Sequence, residues 1–466
     1  MSEAIYDIAI IGGGPGGYAS AFRAAEIGLR PVIIEKDKVG GTCVHRGCIP
    51  TTSLLQSARV LEMTRRADKF GIKTEGVSYD WQSVQKAKSV AVNRLYMGLR
   101  TLFKQHQVDV IKGLATFDEP GLVRVDGEAG AQTVRAENVI IATGSSPRSI
   151  PILERSPDMT IDTTQALEIN EVPRSITIVG GGAYGVEFAS LFKSFGSEVS
   201  IIDIAPHLLP REDADIAKRL ERIFSKRGIN IHTQAKIQAA AIIDNQVQIE
   251  IELQNTGEVK TVASDKVLVT VGRTANLDNI DTETLGLKTK DGFIDTDSDM
   301  KTNIEGVYAV GDVTFNPQYA NFAFSEGIHA VEAIAGLNPP KLNLKQIPIY
   351  IFGYPELAKV GYTEDEARQA GFEIETVGLS FQAVPRSAID KDDTGFAKMI
   401  AIKGGPIIGV HLIGPDVVNL ISEAMLITNW EATAEDVAQF LHPHPTYAES
   451  IGETVLKLAN KPLHSL

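Results

Sequence analysis

The sequence holds only two cysteines in 466 residues, Cys43 and Cys48, so a framework of several disulfides is excluded. It has no run of about twenty apolar residues, the length a membrane-spanning helix needs. Positive charge is in deficit. Against 59 Asp and Glu there are 45 Lys and Arg, a net charge of −14 at pH 7, which argues against nucleic acid or an anionic membrane surface as the main partner. No basic stretch precedes the first apolar segment, Ile8 to Ile11, and Asp7 interrupts its start. That segment runs straight into glycines, the pattern of a first strand and not of a secretion signal. A reducing, cytoplasmic compartment is therefore expected. The remaining composition, 43% hydrophobic and 22% charged, is that of an ordinary globular protein, and the length suggests about three domains.

The two cysteines lie in Gly40-Gly-Thr42-Cys43-Val-His45-Arg-Gly47-Cys48-Ile-Pro50. Two cysteines scattered at random in a chain this long fall so close together only about 2% of the time. A structural staple is a poor explanation, because the chain is too large to need one and so short a loop constrains little of the unfolded state. Two thiols that meet across a short loop suit reversible exchange, in which one is attacked and the other resolves. A metal site needs further cysteines or a histidine cluster, and His45 alone does not supply it; no metal is expected. Five residues along an ideal helix rise about 7.5 Å, whereas Cα atoms across a disulfide lie roughly 4.4–6.8 Å apart. The pair is therefore expected at a distorted helix start, with Gly47 and Pro50 supplying the distortion and the helix running on through Ser53-Leu54-Leu55.

A repeat organises the rest. Asp7-Ile-Ala-Ile-Ile-Gly12-Gly-Gly14-Pro-Gly-Gly17 aligns without a gap, 168 residues on, with Ser175-Ile-Thr-Ile-Val-Gly180-Gly-Gly182-Ala-Tyr-Gly185. Each reads as strand, Gly-x-Gly-x-x-Gly turn, helix, second strand and an acid, Glu35 or Asp203, 23 residues past the first glycine. The first glycine permits the tight turn, the second lets backbone approach a pyrophosphate, and the third permits close helix–strand packing. The helix N-terminus offers free N–H groups to the phosphates, and the acid reaches a ribose 2′-hydroxyl. A glycine-rich loop of some other α/β fold is the bland alternative; two full occurrences favour two dinucleotide sites.

Val139 to Gly144 and Val267 to Gly272 read as the last strands of the two units, and Val307 to Asp312 as a third strand ending in an acid. Asp312 could equally be a turn residue or a helix cap. Beyond Pro339-Pro340, Ile349 to Phe352 and Ile407 to Ile413 read as strands and Val417 to Asn429 as a helix. The expected fold class is α/β, with two Rossmann-like dinucleotide-binding domains and a C-terminal α+β dimerisation domain. The expected boundaries are 1–150 and 276–345 for the first domain's two parts, 151–275 for the second domain and 346–466 for the third. Near the end, His442-Pro-His444-Pro-Thr-Tyr-Ala-Glu449 confines His444 between two prolines. Glu449, five residues on, is suited to fix its tautomer and stabilise its imidazolium, and a neutral imidazole near pH 7 is the right base for a thiol. A capping histidine or a His-x-His metal edge is the alternative.

These motifs together resemble the flavin-dependent disulfide reductases over the whole length, and within them the branch that oxidises dihydrolipoamide. The resemblance implies FAD held by Gly12, Gly14, Gly17, Glu35, Thr42, Thr52, Gly144, Gly311 and Asp312, with Asp312 on the ribityl chain. It implies NAD held by Gly180, Gly182, Gly185, Glu187, Asp203 and Gly272. It implies Cys43 as the interchange thiol, Cys48 on the flavin side, and a homodimer in which His444 and Glu449 complete the partner's active site. It also implies a lipoyl-bearing protein as partner, of a 2-oxoacid dehydrogenase complex or of the glycine cleavage type. A reductase of glutathione or another small disulfide is the nearest alternative. The acid Asp203 with no nearby cation favours NAD over NADP, and the C-terminus lacks the cysteine pair of mercuric reductases. One position departs from the family pattern: Thr52 stands where the family has a lysine, paired with a glutamate that is present here as Glu187. An impaired FAD-binding subunit is the alternative this departure raises.

Overall fold

The computed structural model describes residues 5–128, 130–154 and 159–465. The chain divides into two compact units, Met1–Ser53 with Gln85–Arg148 and Gly272–Leu344, and Leu54–Val84 with Ser149–Val271 and Lys345–Leu466.

The first unit is built on a seven-stranded sheet. Its parallel part runs Asp109–Lys112, Pro31–Glu35, Ile5–Ile11, Gly130–Ile141 and Val307–Ala309. Leu122–Gly127 and Leu114–Glu119 extend it antiparallel as a meander. Because side chains alternate along a strand, Ile8, Ile10, Ile33, Ile140 and Tyr308 face one core with Ala21, Phe103 and Val331 from flanking helices. Ala9, Ile11, Val32, Ile34 and Ile141 face the other, against Phe117, Val123 and Val125 of the meander. Both faces are covered, which is why these strands read as unbroken apolar runs. Helix Pro15–Glu26 crosses helix Ala320–Ile334 closely: Ser20 Oγ donates to the Gly327 carbonyl at 3.2 Å. A Cβ on Gly327 would lie 2.4 Å from the Gly16 oxygen.

The second unit repeats the parallel plan with strand order Ile229–His232, Glu198–Ile202, Ser175–Val179, Lys266–Val269 and Thr160–Ile161. Helices Ala183–Ser194 and Ala214–Lys226 supply Phe188, Phe192, Leu220 and Phe224 to the core that also takes Ile176, Ile178, Val199 and Ile201 from the strands. The meander Ala235–Ile243, Gln246–Leu253, Val259–Ser264 contributes Val247, Ile249 and Ile251 to the core of Val179, Ile202, Val267 and Val269. A five-stranded antiparallel sheet follows, in the order Ile349–Ile351, Glu356–Gly361, Ile407–Gly414, Phe396–Ile402, Ile374–Ser380. Helices Val417–Asn429 and Glu449–Leu458 bury Ile421, Ala424, Ile451 and Val455 in its core. The helix expected at 417–429 is thus present.

The strand expected from Val307 is present as Val307–Ala309, paired beside Gly130–Ile141. Lys266–Val269 is the last strand of its sheet in chain order, as expected. Thr160–Ile161, which pairs outside it, was not read from the sequence, because two residues are too short for alternation to announce them.

Candidate active site

Both fingerprints form the turn their glycines require. Gly12 and Gly180 sit at φ +108° and +112°, and a Cβ there would lie 2.3 Å from the Ala142 oxygen and 2.6 Å from the Thr270 oxygen. At Gly17 and Gly185 a Cβ would lie 1.9 Å from the oxygens of Gly12 and Gly180 respectively. Gly14 and Gly182 are the N-cap residues of the two following helices, with no side-chain cap bond at either. Their first-turn N–H groups are therefore offered to a ligand, with the positive end of the helix dipole behind them. Beside Gly182 a Cβ would meet nothing within 4 Å, and beside Gly14 only the Gly41 Cα at 3.8 Å. This open ground at the second glycine is what approach of a pyrophosphate needs. Glu35 Oε2 accepts from Gly13 N at 2.7 Å, and its Oε1 from Asp37 N at 2.8 Å. Asp203 does the same in the second unit, accepting from Gly181 N and, at 2.7 Å, from Ala205 N. Each carboxylate is thereby pinned at its strand end with lone pairs left for a ribose hydroxyl. The residues present fit two dinucleotides, one at each loop.

The cysteines flank a helix break. Gly40 and Gly41, at φ +111° and +56°, turn the chain against the first fingerprint, and Gly40 N donates to the Gly13 carbonyl at 2.7 Å. Cys43 lies in the short helix Gly41–Arg46, which also holds Thr42. Gly47, at φ −148° and ψ −108°, interrupts it, and Cys48 begins helix Cys48–Arg65. The pair thus spans two helices, where a single distorted helix start was expected; Pro50 falls in the first turn of the second helix, where its missing N–H costs nothing. Both cysteines are free thiols. The hydrogen bond they share lowers Cys43 below the ordinary thiol value and raises Cys48 well above it. The two titrate as one system that gives up its first proton readily and its second reluctantly. His45 is committed elsewhere: its Nε2 donates to the Val39 carbonyl at 3.0 Å and its ring stacks edge-on with Tyr96. Thr52 lies one helical turn beyond Cys48 and is half-buried.

Several partners were not apparent in the sequence. Tyr18, on the helix after the first fingerprint, is raised above its usual value by burial and then by the charges of Cys43 and Cys48. Asp312, in the short 3-10 helix Gly311–Val313, accepts from Ser145 Oγ at 2.7 Å. Ser145 Oγ in turn accepts from Arg273 Nε at 2.6 Å, so the Asp312 carboxylate is held by a two-step relay. Glu326, fully buried, accepts from Gly311 N at 2.6 Å, and burial pushes its carboxyl up to about 8. Gly144, at φ +71°, is tied through its carbonyl to Asn276 N at 2.9 Å. Gly272 lies in the first unit, where its carbonyl accepts from Arg148 N at 3.0 Å. Glu187, on helix Ala183–Ser194, accepts from Phe352 N at 2.9 Å.

In the second unit, His444 Nδ1 lies 2.9 Å from Glu449 Oε1, and Thr446 N donates to Glu449 Oε2 at 2.9 Å. Glu449 is buried at the start of its helix while the His444 side chain is 67% exposed. The arrangement leaves Nε2 of His444 directed away from its anchor, the geometry of a base awaiting a substrate. Among the described residues, no group of three or more His, Cys, Asp or Glu is placed to hold a metal, and no helix is long and apolar enough to cross a membrane.

Residues 6–327 match the family model described as pyridine nucleotide-disulphide oxidoreductase, and residues 347–455 match that family's dimerisation domain. A dihydrolipoyl dehydrogenase of Bacillus subtilis is 40% identical over 469 residues, covering 98% of this chain and 99% of its own. The mitochondrial dihydrolipoyl dehydrogenase of Schizosaccharomyces pombe is 37% identical over 457 residues, covering 97% and 89%. Among solved structures, the HOCl-induced flavoprotein disulfide reductase RclA of Escherichia coli, in its Cu(II) complex, superposes with a TM-score of 0.86 at 28% identity, covering 98% of this chain and 100% of that one. LpdA of Mycobacterium tuberculosis does so at 0.89 and 25% identity, covering 97% and 99%. The chain belongs to the pyridine nucleotide-disulphide oxidoreductases, as an FAD- and NAD(H)-using flavoprotein of the dihydrolipoyl dehydrogenase type.

Proposed function

We propose that the chain oxidises protein-bound dihydrolipoamide to lipoamide through the Cys43–Cys48 pair and passes the two electrons to NAD⁺. The observation that carries this is the presence, in one chain, of two thiols sharing a hydrogen bond across a helix break and a histidine anchored by a buried glutamate. Substrate identity rests on the full-length similarity to dihydrolipoyl dehydrogenases.

In the oxidised enzyme the pair is a disulfide. His444 Nε2 takes the proton of a substrate thiol, and Glu449 holds the resulting imidazolium through Nδ1. The substrate thiolate attacks Cys43 Sγ, and Cys48 leaves as a thiolate, which the start of its helix stabilises. The second substrate thiol, as thiolate, then attacks the substrate sulfur bound to Cys43. That closes the lipoamide ring and leaves both cysteines reduced. Bound FAD supplies a two-electron acceptor between the dithiol and the nicotinamide. Asp203 selects NAD by accepting a hydrogen bond from a free 2′-hydroxyl and repelling a 2′-phosphate.

The chain works as a homodimer, with His444 and Glu449 of one subunit serving the dithiol of the other. This reading is supported by the dimerisation-domain match over residues 347–455. We place it in the cytoplasm, serving a lipoyl-bearing protein of a 2-oxoacid dehydrogenase or glycine cleavage type. The test is a set of steady-state rates with dihydrolipoamide and reduced glutathione, each with NAD⁺ and NADP⁺. Dihydrolipoamide with NAD⁺ should dominate; comparable use of glutathione overturns the substrate, and comparable use of NADP⁺ overturns the role of Asp203.

A further inference from the structure

Two residues before His444, a second histidine is held as firmly as the first. His442 Nε2 lies 2.7 Å from Glu423 Oε1, on helix Val417–Asn429, and the His442 side chain is only 11% exposed. Its ring rests on helix Glu449–Leu458 at Gly452, where a Cβ would lie 2.4 Å from His442 Nδ1. Glycine at 452, inside a helix that would be more stable with alanine, is therefore matched to this ring. Glu449 and Gly452 stand three apart on that helix, so the surface that seats His442 also carries the anchor of His444. Just after His444, Thr446 Oγ1 donates back to the Pro443 carbonyl at 2.7 Å and closes the turn that carries His444.

We propose that His442 is a positioning residue for His444: braced by Glu423 and seated on Gly452, it holds the turn that presents His444 to a substrate thiol. The inference rests on the reading of His444 as the base and adds a second anchor to it. Glu423, then Glu449, hold His442 protonated above its usual range, against the effect of its burial. The ionisable groups around His442 are thus Glu423 from one helix, Glu449 from the other and His444 on its own segment. His442 touches no substrate in this account; it acts through His444.

The experiment compares holoenzyme carrying Glu423→Ala, Glu423→Gln, His442→Gln or His444→Ala. The readouts are dihydrolipoamide oxidation across pH and NADH-driven reduction of ferricyanide, an acceptor that needs no substrate thiol to be deprotonated. Glu423→Ala should lower kcat for dihydrolipoamide about tenfold, as a small misplacement of a catalytic group does, with ferricyanide reduction unchanged. Glu423→Gln keeps an acceptor oxygen and should recover most of kcat. His442→Gln should lower kcat for dihydrolipoamide and leave ferricyanide reduction unchanged. Wild-type kcat in Glu423→Ala or in His442→Gln, no recovery in Glu423→Gln, or equal loss of both activities would overturn the proposal. Full turnover in His444→Ala would instead overturn the reading of the base on which it rests.

Discussion

His444 and Glu449 form a pair in which the anchor is buried and the working group is not: Nδ1 lies 2.9 Å from Oε1, with the glutamate 8% exposed. Glu449 is further fixed by Thr446 N, so the imidazole inherits a defined tautomer and direction. His444→Ala should cost about 100-fold or more in dihydrolipoamide oxidation, the range general base catalysis supplies. Glu449→Gln should cost less, since the imidazole stays but its cation loses its counter-charge. Both are read from kcat at pH 8, and equal rates for Glu449→Gln and wild type would remove the anchor from the account.

Asp203 is pinned by Gly181 and Ala205 at the end of its strand, as Glu35 is pinned by Gly13 and Asp37. A hydrogen bond to a charged group contributes about 1.5–3 kcal/mol, so Asp203→Ala should lower kcat/KM for NAD⁺ by roughly 10-fold or more. The value for NADP⁺ should stay level or rise, since a repulsive charge is gone. A parallel fall in both would mean that the carboxylate only supports the loop.

Thr52 follows Cys48 by one helical turn, so residues 48 and 52 share a face. A lysine there adds a cation near a thiol that its hydrogen bond to Cys43, and then burial, keep protonated. Thr52→Lys should therefore lower the apparent pKa for alkylation of the reduced dithiol by about one unit and raise turnover. An unchanged alkylation profile would show that residue 52 does not tune the thiol.

Glu326 gives a pH dependence of stability. Burial raises it from 4.5 to about 8, so between those values the folded chain holds a proton that the unfolded chain has lost. Its contribution is present in full below about pH 4.5 and is lost as pH rises towards 8. Glu326→Gln, neutral at every pH, should flatten the fall in stability between pH 5 and 8 in urea unfolding. An identical slope in both proteins would place that proton elsewhere.

The glycine fingerprints were legible because they encode backbone: at Gly12 and Gly180 no Cβ fits, so the fold writes its requirement into residue type. The cysteine pair was legible from rarity and spacing, though the sequence placed it at one helix start and the fold divides it between two helices at Gly47. The proline-flanked His444 marked itself for a similar reason. What stayed hidden depends on tertiary packing. Ser145 reaches Asp312 across 167 positions and Arg273 across 128, and no local pattern joins them. His442 looked like one half of a His-x-His edge; only the fold brings it to Glu423 and seats it on Gly452. Thr160–Ile161, two residues long, joins a sheet whose other strands all come later in the chain.

The central claim, a working site made from the dithiol of one subunit and the His444–Glu449 pair of another, is tested most directly by mixing two inactive proteins. Cys43→Ser subunits retain His444, and His444→Ala subunits retain the dithiol. After subunit exchange, confirmed by differently tagged chains, each heterodimer should contain one intact site, and a statistical mixture should recover roughly a quarter of wild-type activity under symmetric exchange. No recovery despite demonstrated exchange would contradict the shared site.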